Sequence, residues 1–413
     1  MHAMPPRDTA DAQLAAQYEA FPYPARDPRE EAKRLIIGSP SHLREIDHWV
    51  FGARRPAAQP LNALMAGGGS GDGTIMLAQQ LASANRPGRV TWLDRSAQAK
   101  RVAQARAAAR GLANITFEEG SLLDLPRSGL GPFDYIDCCG VLHHLPDPDE
   151  GLAALASVLA PGGGMGIMVY APHGRTGVYM LQEALRLLAP ADEPPAARVE
   201  TGRRVWKQLP ETAWLRRNPW IDDHLKGGDA GFYDLLLNPR DRAYTIPQLA
   251  ALVAGAGLRI ACLVEPLRYN PDTWLTDPKL RARTATLDPI ARAALAEALC
   301  GNMGIHIAYL TRDEAPKPDW TSDAAIPLLR ELDGPAMARA LRPDGLLPVT
   351  FDSLRVQIPL PRLAAALLSR IDGRTPWSEI CSTIPAPSDQ IARDRHGLVA
   401  ALEPLNRLLL AAP

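Results

Sequence analysis

The feature that most constrains this chain is an alternation. Between Leu61 and Ala171, short apolar runs take turns with helical stretches. "LNALMA" reads as a strand and "GTIMLAQQLA" as a helix. "RVTWLD" is a strand, followed by helix "AQAKRVAQARAAARG", which Gly111 closes. "NITFEEG" and "FDYIDCC" are strands, then come helix "DEGLAALASVLA" and strand "GGMGIMVYA". Strands joined through helices run parallel, so the pattern demands a doubly wound sheet covered on both faces. Residues 171–244 interrupt it with Pro- and Trp-rich broken helices. Helix "IPQLAALVAGAG" and strands "LRIACLV" and "GIHIAYLTR" then restore it. "DEAPKPDW" reads as a linker, and residues from about 323 form a small remaining unit.

The first strand runs into "GGGSGDG", five glycines in seven positions. Gly67, Gly69 and Gly71 let the backbone turn sharply and let a ligand approach without meeting a Cβ. No GK[ST] follows, which excludes a phosphate-cradling P-loop. The dinucleotide spacing wants a third glycine where Asp72 stands. The next strand ends in Asp94, an acid placed to bind both hydroxyls of a ribose, with Arg95 beside it. At this point NAD and S-adenosylmethionine both remain open.

The fourth strand separates them. "FDYIDCCGVLHHLPDP" resembles the post-strand segment of class I S-adenosylmethionine-dependent methyltransferases. "LAPGGGMGIMVY" resembles their fifth-strand motif, and "AGLRIACLV…GIHIAYLTR" their last two strands. The resemblance spans roughly residues 60–313. It implies an α/β, doubly wound Rossmann-like sheet of seven strands, the last antiparallel, with S-adenosyl-L-methionine as cofactor. It assigns Gly67, Gly69, Gly71, Asp94, Arg95, Gly120, Ser121, Leu122, Cys139 and Gly140 to the cofactor. Two positions depart from the family. Met65 stands where an acid often helps hold the methionine ammonium, which leaves that group to backbone carbonyls at Gly67 and Gly140. Ser121 stands where an Asp commonly bonds the adenine amino group.

Methyl transfer from a sulfonium needs an aligned, desolvated nucleophile, and a base only if that nucleophile arrives protonated. His143 and His144, just past the fourth strand, are the candidate bases. Asp147 and Asp149 read as caps of the following helix. Residues 1–55 are expected to form a helical lid, with a Pro-rich kink at "FPYPARDP" and with Tyr18 and Tyr23 as candidate contacts to the acceptor or to the carboxylate end of the cofactor. Arg175 and Tyr179 follow the fifth strand, and Arg242 and Tyr244 close the insertion at about 171–245. These four are candidate acceptor contacts, and Arg175 or Arg242 is the candidate clamp for an acidic group. Trp206, Trp214, Trp220, Phe232 and Tyr233 supply apolar cover. The Asp222, Asp223, His224 and Asp229 cluster matches no metal spacing, and no metal is expected.

The methyltransferase domain is assigned to 56–314 and a small α+β, winged-helix-like accessory domain to 323–413, of a kind that holds peptides or mediates a homodimer. The net charge of −1 and balanced C-terminal charges argue against nucleic acid or membrane as partner. The five cysteines lack metal spacing, and the first residues lack the apolar core of a signal peptide, so the expected location is cytoplasmic. The expected activity is methylation of a small molecule, an organic acid or a phenol. The alternatives are a protein or peptide acceptor, and a regulator that binds the cofactor without catalysis.

Overall fold

A computed structural model describes residues 24–351 and 354–413. Its central sheet has seven strands: β1 (Leu61–Ala66), β2 (Gly88–Asp94), β3 (Ile115–Glu119), β4 (Phe133–Cys139), β5 (Leu159–Tyr170), β6 (Arg259–Leu263) and β7 (Ile305–Thr311). They lie in the order β3-β2-β1-β4-β5-β7-β6. The first five are parallel, and β7 runs antiparallel to both its neighbours. The seven strands, the last antiparallel, are those expected from the alternation and the family resemblance.

Both faces of the sheet are covered, as parallel strands require. Ala63 and Met65 of β1 face helix Asp72–Ser83 and the helical turns Leu43–Val50, while Leu64 and Ala66 face helices Pro148–Ser157 and Ile246–Gly255. The order of strands puts the carboxyl ends of β2, β1, β4 and β5 side by side, and the site grows along that edge. Residues 171–245 carry helices Val178–Leu188, Pro195–Gln208 and Gly228–Leu236 around a core of their own that includes Leu185, Val199 and Phe232. This excursion begins and ends at the tip of β5, where the Tyr244 N–H donates to the Tyr170 carbonyl at 2.8 Å.

The N-terminal cover differs from the expected helix. Among the described residues it holds one 3-10 turn, Pro28–Ala32, then extended chain to the turns at Leu43. Pro24, Pro28 and Pro40 lack the N–H that a helix needs and push the preceding residue extended. The expected lid helix before residue 24, with Tyr18 and Tyr23, lies outside the described residues.

The C-terminal unit contains the hairpin Leu346–Phe351 and Leu354–Pro359, helices Ala364–Leu368, Trp377–Ser382 and Ser388–Leu402, and a strand pair, Pro327–Leu329 with Leu408–Leu410. It docks on Leu43–Val50 through buried polar contacts. Arg330 pairs with the fully buried Glu45, and Arg44 donates to the Leu329 carbonyl at 3.0 Å. His48 Nδ1 accepts the Leu410 N–H at 3.0 Å, so Nε2 carries the ring hydrogen and donates it to Glu403 at 3.1 Å.

Candidate active site

The glycine turn is built by close approach. Gly67, Gly69 and Gly71 all have positive φ. A Cβ on Gly68 would sit 2.3 Å from the Trp92 ring, whose Nε1 donates to the Gly69 carbonyl at 3.0 Å. Asp94 holds the turn from β2: one carboxylate oxygen accepts the Gly69 N–H at 2.8 Å, the other the Ser96 N–H at 2.9 Å. Burial raises its pKa. Arg106, buried on helix Ala97–Ala109, donates to the Ser70 carbonyl and to Asp72, both at 2.7 Å, and to Glu31 at 2.6 Å. It thus ties the N-terminal cover to the turn. No sequence signal marked Arg106, because the chain is rich in arginine and Glu31 is far away along it.

A cavity of about 870 Å³ opens along the sheet edge. Gly67, Gly69, Gly71, Asp94, Arg95, Gly120, Ser121, Leu122, Cys139 and Gly140 all line it. The geometry fits an adenosylated amino acid. Acids and glycines stand at one end, Leu122 and Leu123 offer apolar surface beside Ser121, and a buried acid, Asp137, lines the wall.

Past Gly140 the cavity reaches His144, Met168, Tyr170 and Asp234. His144 Nδ1 lies 2.7 Å from the Arg240 carbonyl. A carbonyl only accepts, so Nδ1 carries the hydrogen and Nε2 keeps its lone pair. His143, the other expected base, takes a different part. It is fully buried, does not line the cavity, stacks on Tyr170 with ring centroids 3.9 Å apart, and has no hydrogen-bond partner on either nitrogen. Burial, with His144 and two arginines nearby, drives its pKa well down, so it stays neutral. Asp147 caps helix Pro148–Ser157 through the N–H groups of Asp149 and Glu150.

Arg175, Tyr179, Arg242 and Tyr244, the acceptor candidates among the described residues, do not line this cavity. The Arg175 guanidinium, expected as a clamp, is occupied by Asp241 at 2.8 Å and the Tyr179 hydroxyl at 3.2 Å, and it lies over the Tyr170 ring. Arg242 donates to the Pro146 carbonyl at 3.3 Å and bonds Tyr244. Both arginines brace the insertion against the site. His224 packs on Trp206, Asp222 pairs with Lys226, and among the described residues no three metal-ligating side chains converge.

Sheet order, glycine turn and strand-edge cavity define a Rossmann-like methyltransferase. A family pattern described as a methyltransferase domain matches residues 64–165. The chain is 34% identical over 327 residues to an uncharacterized protein of Synechococcus sp., covering 78% of this chain and 76% of that one. It is 30% identical over 215 residues to a ubiquinone biosynthesis O-methyltransferase of Caulobacter vibrioides, covering 51% of this chain and 78% of that protein. It is 36% identical over 155 residues to a tRNA 5-carboxymethoxyuridine methyltransferase of Escherichia coli, covering 36% and 56%. In fold it is similar to PKMT2 from Rickettsia typhi, solved in complex with AdoHcy, with a TM-score of 0.59 at 15% identity over 90% of this chain and 75% of that one. The chain belongs to the class I S-adenosylmethionine-dependent methyltransferases, and S-adenosylmethionine is its cofactor. Among its described residues no helix is long and apolar enough to cross a membrane.

Proposed function

We propose that the acceptor is a small molecule with a protic oxygen, a phenol rather than an organic acid, and that His144 takes its proton. The observation that carries this is the tautomer of His144. A ring held by its Nδ1 hydrogen on the Arg240 carbonyl keeps Nε2 as a base at the wall of the cavity. A carboxylate acceptor needs no base. It would also meet Asp234 at this end of the cavity, with the nearby guanidinium of Arg175 already paired to Asp241. The bound cofactor supplies a methyl group already activated on a sulfonium. The chain's own residues then bind, exclude water and move one proton. Asp94 and the glycine turn hold the nucleoside, Tyr170 and Met168 dry the wall beside the acceptor, and His144 receives the hydroxyl proton as the oxygen attacks. The Caulobacter relative, named as an O-methyltransferase, supports an oxygen acceptor. The Escherichia coli relative is named for tRNA, so RNA is one of the acceptors the test includes.

The test supplies methyl-labelled donor and the purified protein to three fractions: small molecules, tRNA and protein. The proposal expects label in a small molecule, resistant to mild base as an aryl methyl ether is. Label released by base as a methyl ester, or carried by tRNA or protein, overturns it. No label in any fraction favours the non-catalytic reading.

A further inference from the structure

Met65 leaves an apolar side chain where the family often has an acid, and the structure shows what stands beside it. β1 pairs with β4 in parallel, and Asp137 is the register partner of Met65. Asp137 is 7% exposed and lines the cavity. Its carboxylate accepts the Ser41 hydroxyl and, at 3.2 Å, the Cys139 N–H. Among the described residues no lysine, arginine or histidine pairs with it. The other acids of the cavity wall are already committed. Asp72 is held by Arg26 and Arg106, Asp94 holds the turn, and Asp234 accepts the Tyr170 hydroxyl. A buried carboxylate with two hydrogen bonds and no cation is an incomplete arrangement, and burial makes its charge costly until a cation arrives.

The strand order says which part of the cofactor meets it. Gly120, Ser121 and Leu122 follow β3, Asp94 ends β2, the glycine turn follows β1, and Asp137 lies near the end of β4. A ligand with its ribose at Asp94 and its base towards β3 therefore extends its amino-acid end across β1 towards β4. We propose that Asp137 binds the ammonium of the cofactor's methionine moiety, taking over from the neighbouring strand the part that an acid at position 65 plays elsewhere in the family. The inference rests on S-adenosylmethionine as the cofactor and is independent of the acceptor.

The arrangement couples cofactor binding to pH. Burial pushes the Asp137 carboxyl up to about 6. Among the described residues, the titratable groups of its own strand that feel its charge are Tyr135, Cys138 and Cys139. Burial raises all three, so none of them ionises near that pH. Ser41 and Met65, which face it from the N-terminal cover and from β1, do not titrate. Asp72, across the glycine turn, is neutralised by its two arginines. Ammonium binding favours the ionised carboxylate, so affinity should fall as pH drops through about 6.

Calorimetry with two probes tests this: S-adenosylhomocysteine, which carries the amino-acid end, and 5′-methylthioadenosine, which lacks it. In Asp137→Asn, S-adenosylhomocysteine should bind at least ten-fold more weakly while methylthioadenosine binds as before, which also reports that the variant is folded. In the unmutated protein, S-adenosylhomocysteine affinity should drop between pH 7 and pH 5, and in the variant this step should vanish. Unchanged S-adenosylhomocysteine affinity in the variant overturns the proposal, as does an equal loss of both probes. Failure of both probes to bind the unmutated protein would instead remove the cofactor site itself.

Discussion

Among the contacts that fasten the C-terminal unit is one buried charge pair that makes a quantitative prediction. Glu45 is fully buried. It accepts the Ser39 and Tyr309 hydroxyls, each at 2.8 Å, and its cation is Arg330 from the C-terminal unit. Arg330→Met keeps the stem of the side chain and removes the charge. Two hydroxyl donors then remain for a buried carboxylate with no cation. Breaking a buried pair from one side costs about 3–5 kcal/mol, a factor of roughly 10²–10⁴ in the folding equilibrium. Adding Glu45→Gln should recover most of that loss, because a neutral amide needs no cation. The pH dependence has a definite sign. Burial raises the pKa of Glu45, so the folded state binds the proton more tightly than the unfolded chain. Stability then falls as pH rises through the folded pKa, and the Arg330→Met penalty should shrink as pH is lowered. Urea unfolding of the single and double variants between pH 5 and pH 8 measures both effects. A penalty below about 1 kcal/mol, or one that is the same at pH 5 and pH 8, would refute the reasoning.

Removing residues beyond Pro316 takes away the cation of Glu45 together with Glu403 and Leu410, the hydrogen-bond partners of His48, so the truncated chain should unfold at lower urea than the full chain. Asp94→Ala removes a cavity-wall carboxylate and the acceptor of the Gly69 N–H, and should weaken S-adenosylhomocysteine binding by about 2 kcal/mol or more, read by calorimetry. Turnover in His144→Asn should fall about 10²–10⁴-fold with cofactor affinity unchanged, whereas His143→Phe, which replaces a buried ring with no hydrogen bonds, should stay within a few-fold of the unmutated enzyme. Gly68→Ala drives a Cβ into the Trp92 ring and should cost about 1–3 kcal/mol of stability along with cofactor affinity, measured by thermal unfolding and calorimetry.

What the sequence made legible follows the range of the forces involved. Strand alternation, the glycine turn and Asp94 depend on neighbours within a few dozen residues, and all of them could be read before any fold was known. The errors have a common physical source. Arg175 looked like an open fork because its partner, Asp241, lies at the far end of the insertion. The two histidines looked equivalent because what separates them is distant in sequence: their rings pack on each other and both meet Tyr170, but only His144 reaches the Arg240 carbonyl and lines the cavity. In the described part of the N-terminal cover the departure from helix has a local cause instead, the prolines Pro24, Pro28 and Pro40.

Asp137 shows the limit most clearly. In "FDYIDCC" it is one polar residue inside an apolar run, and nothing local distinguishes a solvated edge position from a buried functional one. Its meaning depends on two facts that lie in different places. Position 65 carries methionine, and the β1–β4 register sets Asp137 beside it. A carboxylate serves a cation according to where its oxygens lie, not which strand carries its backbone. Neighbouring strands in a sheet run about 4.8 Å apart, so a side chain on either one can reach the same small volume of the cavity. An acid absent from its usual position is therefore weak grounds for reading such a chain as having lost its cofactor or its activity. The stronger question is whether any buried acid within one strand spacing lacks a cation, and among the described residues none pairs with Asp137.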